Sequence, residues 1–89
     1  MNIHWTKYLK YRSELRGFDL LLLEDILRHS DERYFDTATH RAVVVGKHGD
    51  TLVMIPYDCA QDDTFTPVTV HATTRQQVAY RLRSGRFKR

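Results

Sequence analysis

Two apolar runs with a tight turn between them constrain this chain more than any other feature. Ala42 to Val45 is apolar and β-branched, and reads as a buried strand. Lys47 to Asp50 contains Gly49-Asp50, a dipeptide that closes short hairpins. Thr51 to Tyr57 is the return strand, with Leu52, Val53, Met54 and Ile55 at its centre. Ala60 to Asp63 is a polar turn, and Phe65 to His71, rich in Thr and Val, is a third strand. Three consecutive antiparallel strands follow from this pattern. A turn centred on Gln61 and Asp62 sets Pro56 opposite Pro67. Proline donates nothing to a ladder, so the sheet is expected to open or bend there.

Helices flank the meander. Ile3 to Trp5 reads as a short first strand, and Thr6 as the cap of a helix running to about Arg16. Tyr8, Tyr11 and Leu15 fall on one helical face, with Lys7, Lys10 and Arg12 turned toward water. Gly17 stands where a helix end favours positive φ. Asp19 caps a second helix, Leu20 to about His29, whose Leu20, Leu23, Ile26 and Leu27 form a buried stripe. Thr73 or Thr74 opens a last helix, Gln76 or Gln77 completes its capping box, and Val78, Ala79 and Leu82 form its buried face. Ser84-Gly85 ends it. The expected fold is α+β in the order β-α-α-β-β-β-α. It has an antiparallel sheet of three to four strands, two N-terminal helices and one C-terminal helix. Residues 1–85 form one domain, and residues 86–89 a basic tail that is mobile until something anionic or acidic orders it.

The chain has 89 residues, enough for one core. No apolar stretch approaches the roughly 20 residues that span a bilayer, and the N-terminus shows no signal-peptide pattern. Cys59, the single cysteine, reads as a partly buried strand-end residue that forms no internal disulfide, which fits a reducing, cytoplasmic setting.

Charge is unevenly placed. The net charge is +3, yet Arg75, Arg81, Arg83, Arg86, Lys88 and Arg89 put six cations and no acid in the last fifteen residues. The remainder holds eight basic and eleven acidic residues. Such asymmetry points to an anionic partner, of which nucleic acid is the commonest. Paired metal-ligand spacings, a phosphate-binding glycine loop and a nucleophile elbow are absent, so no metal or cofactor is called for. Arg41 leads one strand, His71 ends another, and Arg75 and Arg81 lie on the last helix. If strand ends and helix converge, these four suit RNA cleavage through the 2′-hydroxyl. Histidine serves as base or acid near neutral pH, and arginine stabilises the dianionic phosphorane. Trp5, Lys7, Lys10, Arg83, Arg86 and Lys88 are the candidate RNA-binding residues, Trp5 by stacking on a base.

The segment Thr39-His-Arg-Ala-Val-Val-Val-Gly46, the strand ending at Tyr57, and Val68-Thr-Val-His-Ala-Thr-Thr-Arg75 with its helix resemble the C-terminal half of BrnT-like toxins. Trp5 and the two helices around Arg16-Gly17-Phe18 resemble the first half of that family. The resemblance implies a RelE-like fold, a ribonuclease that arrests translation, and a cognate antitoxin protein in a toxin–antitoxin hetero-oligomer. By position, Arg41 matches the family's strand-leading arginine and Arg75 the arginine of its last helix. His71 replaces a family arginine, Gln77 stands near a usual glutamate, and an early lysine is matched only loosely by Lys7 or Lys10. The alternative reading is a non-catalytic module that binds nucleic acid or protein through the same basic surface.

Overall fold

The computed structural model describes residues 1–89. Its elements are β1 (Asn2–Ile3), α1 (Lys7–Leu15), α2 (Leu20–His29), β2 (Arg33–Asp36), β3 (Arg41–His48), β4 (Thr51–Cys59), β5 (Thr64–Pro67), β6 (His71–Ala72), α3 (Arg75–Arg83) and β7 (Phe87–Lys88). The strands form one sheet in the order β1-β5-β4-β3-β2-β7, with β6 also on β4. Only the β1–β5 pair is parallel. This is the α+β order read from the sequence, with three helices and a seven-stranded sheet in place of three to four strands.

The β3–β4 hairpin is the centre. Gly49 adopts φ +61° in the two-residue turn, and His48 faces Thr51 across it. Alternate side chains of this hairpin enter two separate cores. Val44, Val53, Ile55 and Tyr57 pack with Leu23, Ile26 and Leu27 of α2. Val43, Val45, Leu52 and Met54 pack with Tyr34, Val78 of α3 and Phe87. Burial on both faces explains why these strands are continuously apolar instead of alternating. At Gly46 a Cβ would stand 2.7 Å from Ile26 Cγ2, so the missing side chain is what lets α2 approach the sheet.

The caps fall where the side chains allow them. Thr6 Oγ1 accepts from the Leu9 N–H, Asp19 Oδ1 from Leu21 and Thr74 Oγ1 from Gln77. Of the expected stripe of α2, Leu23, Ile26 and Leu27 are buried and Leu20 is partly so. The face of α1 is reversed. Tyr8, Tyr11 and Leu15 are 60%, 61% and 65% exposed, while Leu9 and Ser13 are fully buried. Tyrosine has both an apolar body and a polar tip, so spacing alone did not decide which face turns inward. The inward side also brings Arg16, whose Nη1 donates to the Val70 carbonyl at 2.5 Å.

The third strand breaks at the prolines. β5 ends at Pro67, opposite Tyr57, and β6 begins at His71, opposite Met54. Between them the Val68 N–H still donates to the Pro56 carbonyl at 2.8 Å. A strand residue's N–H and C=O point to the same neighbour, so the hydrogen missing from Pro56 faces this gap. The two prolines are offset by one residue from the expected pairing, because Asp63 takes φ 64° and lengthens the turn.

Two strands were not anticipated. β2 pairs with β3, and β7 pairs with β2. The expected basic tail is therefore largely part of the sheet, with Phe87 2% exposed and Arg86 bound to Asp36. Cys59 ends β4 and is exposed, not partly buried. No helix is long and apolar enough to cross a membrane.

Candidate phosphate-binding site

The break between β5 and β6 has a consequence on the α3 face of the sheet. It borders a cavity of about 160 Å³ floored by Met54, Pro56 and Val68. Its polar walls are Arg41, His71, Arg86, Asp36, Thr39 and Thr69. The space is large enough for several waters or a phosphate group.

Each wall residue is placed by its element. Arg41 opens β3, and its Nε lies 3.2 Å from Asp58 Oδ1, an exposed pair. His71 opens β6 and is half-buried. Arg86 sits between Gly85, which ends α3 with φ +80°, and β7. Its Nε and Nη2 reach the two carboxylate oxygens of Asp36, each at 3.2 Å. The Asp36 side chain is only 5% exposed and also accepts from the Ala38 N–H at 2.9 Å. Burial alone would raise the Asp36 carboxyl, but the Arg86 and backbone hydrogen bonds outweigh it and hold it below the usual carboxylate range.

The His71 imidazole is pushed below its ordinary value, first by burial and then by the charges of Arg16, Arg81 and Arg12. The shift favours the neutral imidazole. Five arginines from three regions of the chain thus surround or approach one histidine: Arg12 from α1 and Arg16 from its C-terminal cap, Arg41 from β3, and Arg81 and Arg86 from the C-terminal segment. Arg12 was expected to face water and Arg16 to end the helix, and neither was assigned to the site. Their i, i+4 spacing, which places both on one side of the helix, was the one available hint.

The four expected catalytic residues do not all meet. Arg41 and His71 share the cavity, and Arg81 stands close enough to depress His71. Arg81 Nε is buried without a hydrogen-bond acceptor, and its guanidinium carbon lies 5.7 Å from the Phe87 ring centroid. Arg75 is elsewhere. Its Nη1 lies 2.8 and 2.7 Å from the two Glu32 carboxylate oxygens, one of which also accepts from the Tyr34 hydroxyl at 2.7 Å. Position at the start of α3 had suggested convergence. The helix instead carries its first residue toward Glu32 and its last turn toward the cavity.

Of the expected RNA-binding residues, Arg86 lines the cavity, while Trp5 packs against the α2-side core and is no free stacking surface. Lys7 and Lys10 are exposed on α1, Lys88 on β7 and Arg83 on α3. A second cavity, of about 460 Å³, lies along α3 and shares Arg86 with the first. No three His, Cys, Asp or Glu side chains gather in a way that would hold a metal ion.

Chemically, the arrangement offers planar guanidinium donors for phosphate oxygens and a neutral imidazole able to accept a proton. Neither the protein-family models, the curated proteins nor the solved structures give a match to this chain.

Proposed function

We propose that this protein is an endoribonuclease that needs no metal, with a RelE-like arrangement of sheet and helices, acting as the toxin of a toxin–antitoxin pair in the cytoplasm. The observation that carries this reading is the placement of His71 in one cavity with Arg41 and Arg86. In the proposed step His71 takes the proton of a ribose 2′-hydroxyl. The 2′-oxygen attacks phosphorus, the bond from phosphorus to the 5′-oxygen breaks, and the 5′-oxygen takes a proton from solvent, to which His71 then returns its own. The products are a 2′,3′-cyclic phosphate and a free 5′-hydroxyl. Arg41 and Arg86 bind the phosphate oxygens as charge builds on them, and Arg81 adds to the positive field. Arg75, which pairs with Glu32 and does not line the cavity, has no part in this step. The cognate antitoxin would neutralise the protein by covering the basic cavity with an acidic or apolar segment.

The test is incubation of purified protein with RNA in excess chelator, with analysis of the termini produced. Cyclic phosphate ends that disappear in His71→Ala and Arg41→Ala are expected. Intact RNA with the folded wild-type protein contradicts the catalytic reading. A non-catalytic nucleic-acid-binding module is the second reading. It is favoured by the absence of any hydrogen bond among the influences on His71, so no neighbour orients the ring as a base. Salt-sensitive RNA binding without cleavage would establish it.

A further inference from the structure

The larger cavity has a composition that the phosphate site does not explain. Gln76, Tyr80 and Ser84 recur every fourth residue and so stack along one face of α3. Arg83 and Arg86 border this face, and Tyr80 is the only hydrophobic residue lining the cavity. Tyr80 is 64% exposed, although it sits on a helix that has a core to pack against. Arg81, whose buried Nε–H has no acceptor in the protein, is one of the lining residues. At about 460 Å³ the space falls within the ~300–1,000 Å³ range of small-ligand sites. Arg86 lines both cavities, so a group bound in one is a neighbour of a group bound in the other.

We propose that this face of α3 is a subsite for one unpaired nucleotide of a single-stranded RNA, adjacent to the phosphate in the smaller cavity, with Tyr80 stacking on the base. The proposal rests on the reading of RNA as the ligand and deepens it by naming the strand state and the base-binding residue. Every base offers a π-face, so stacking on Tyr80 is tolerant of sequence. The Gln76 amide carries both a donor and an acceptor, which is what reading a base edge requires. Gln77 is less free, since its Oε1 accepts from the Thr73 hydroxyl at 3.0 Å. A paired base is already stacked and cannot lie on Tyr80, so a duplex loses this contact.

The experiment measures binding of a short 2′-O-methyl RNA, which cannot be cleaved, against its duplex and against the same strand with one abasic position. Tyr80→Ala is expected to weaken single-strand binding about tenfold, as loss of one stacked base does. Tyr80→Phe is expected to restore it, and Tyr80→Ala to leave duplex binding unchanged. The abasic strand, scanned for position, should bind wild type as weakly as the intact strand binds Tyr80→Ala. Equal single-strand affinity of wild type and Tyr80→Ala overturns the subsite while leaving the phosphate site standing. Failure of the wild type to bind any of the three RNAs overturns both. Because the probe is uncleavable, loss of catalysis in a separate assay bears on neither result.

Discussion

The two faces of the central hairpin use arginine in opposite ways. On the α2 face, Arg33 donates to the Ser30 carbonyl at 3.0 Å, to the Leu27 carbonyl and to the Tyr57 hydroxyl at 3.2 Å. Its guanidinium also lies over the Tyr57 and Phe65 rings. Those two carbonyls are at the C-terminal end of α2, where unpaired acceptors need a cation. Arg33 is therefore a structural cap. On the α3 face, Arg81 keeps a buried donor unpaired, and Arg41 and Arg86 border a cavity while pairing with Asp58 and Asp36. The comparison teaches that position, at the end of a helix or at the wall of a cavity, and not the presence of arginine, separates a structural cation from one available to a ligand. It also teaches that a break in one strand is what turns a packed sheet face into a site.

Four substitutions would break or sharpen this contrast. The largest effect is expected from His71→Ala, a loss of about 10²–10⁴-fold in RNA cleavage with RNA binding retained. The same residue gives a pH signature. The unfolded chain binds a proton at His71 more readily than the folded chain, so stability falls as pH drops below about 6.5. His71→Ala should flatten that part of a pH series of denaturation curves. On the other face, Leu27→Ala should cost about 2–5 kcal/mol in urea unfolding, because Leu27 is fully buried, yet leave the affinity of the folded protein for RNA unchanged. Asp36→Asn comes next, with about 1–3 kcal/mol lost by removing a charged acceptor that holds Arg86. Asp36 is held below the usual range against its burial, so its contribution is present above about pH 4 and disappears as pH falls through the folded value. Asp36→Asn should thus lose less stability on acidification than the wild type. The smallest effect is expected from Arg75→Gln. Its pair with Glu32 leaves it 65% exposed, so stability should barely change and cleavage should match wild type. A large cleavage defect in Arg75→Gln would place that residue back in the site.

Much of the fold is legible in the residues themselves. The central hairpin, its glycine turn, the three helix caps and the stripe of α2 each rest on a local rule that the tertiary structure does not override. The proline break is legible too, because a missing donor is a property of the residue. β2 and β7 are not, since Arg33-Tyr-Phe-Asp36 and Phe87-Lys88 have too few apolar residues to read as strands and form by pairing with a neighbour already in place. The face of α1 is ambiguous because tyrosine satisfies either environment. For the site, Arg41 and His71 could be named from strand ends, and Arg86 from its charge. Separating Arg75 from Arg81 needed the direction of α3 across the sheet, which sequence spacing does not contain.

The account turns on an anion bound beside the His71 ring. NMR titration of the His71 imidazole, without ligand and with saturating uncleavable dinucleotide, tests this directly. A phosphate against the ring favours the charged imidazolium, so the apparent pKa of His71 should rise from its depressed value on binding. An unchanged His71 titration in protein shown to have bound the dinucleotide would contradict the phosphate site and the function built on it.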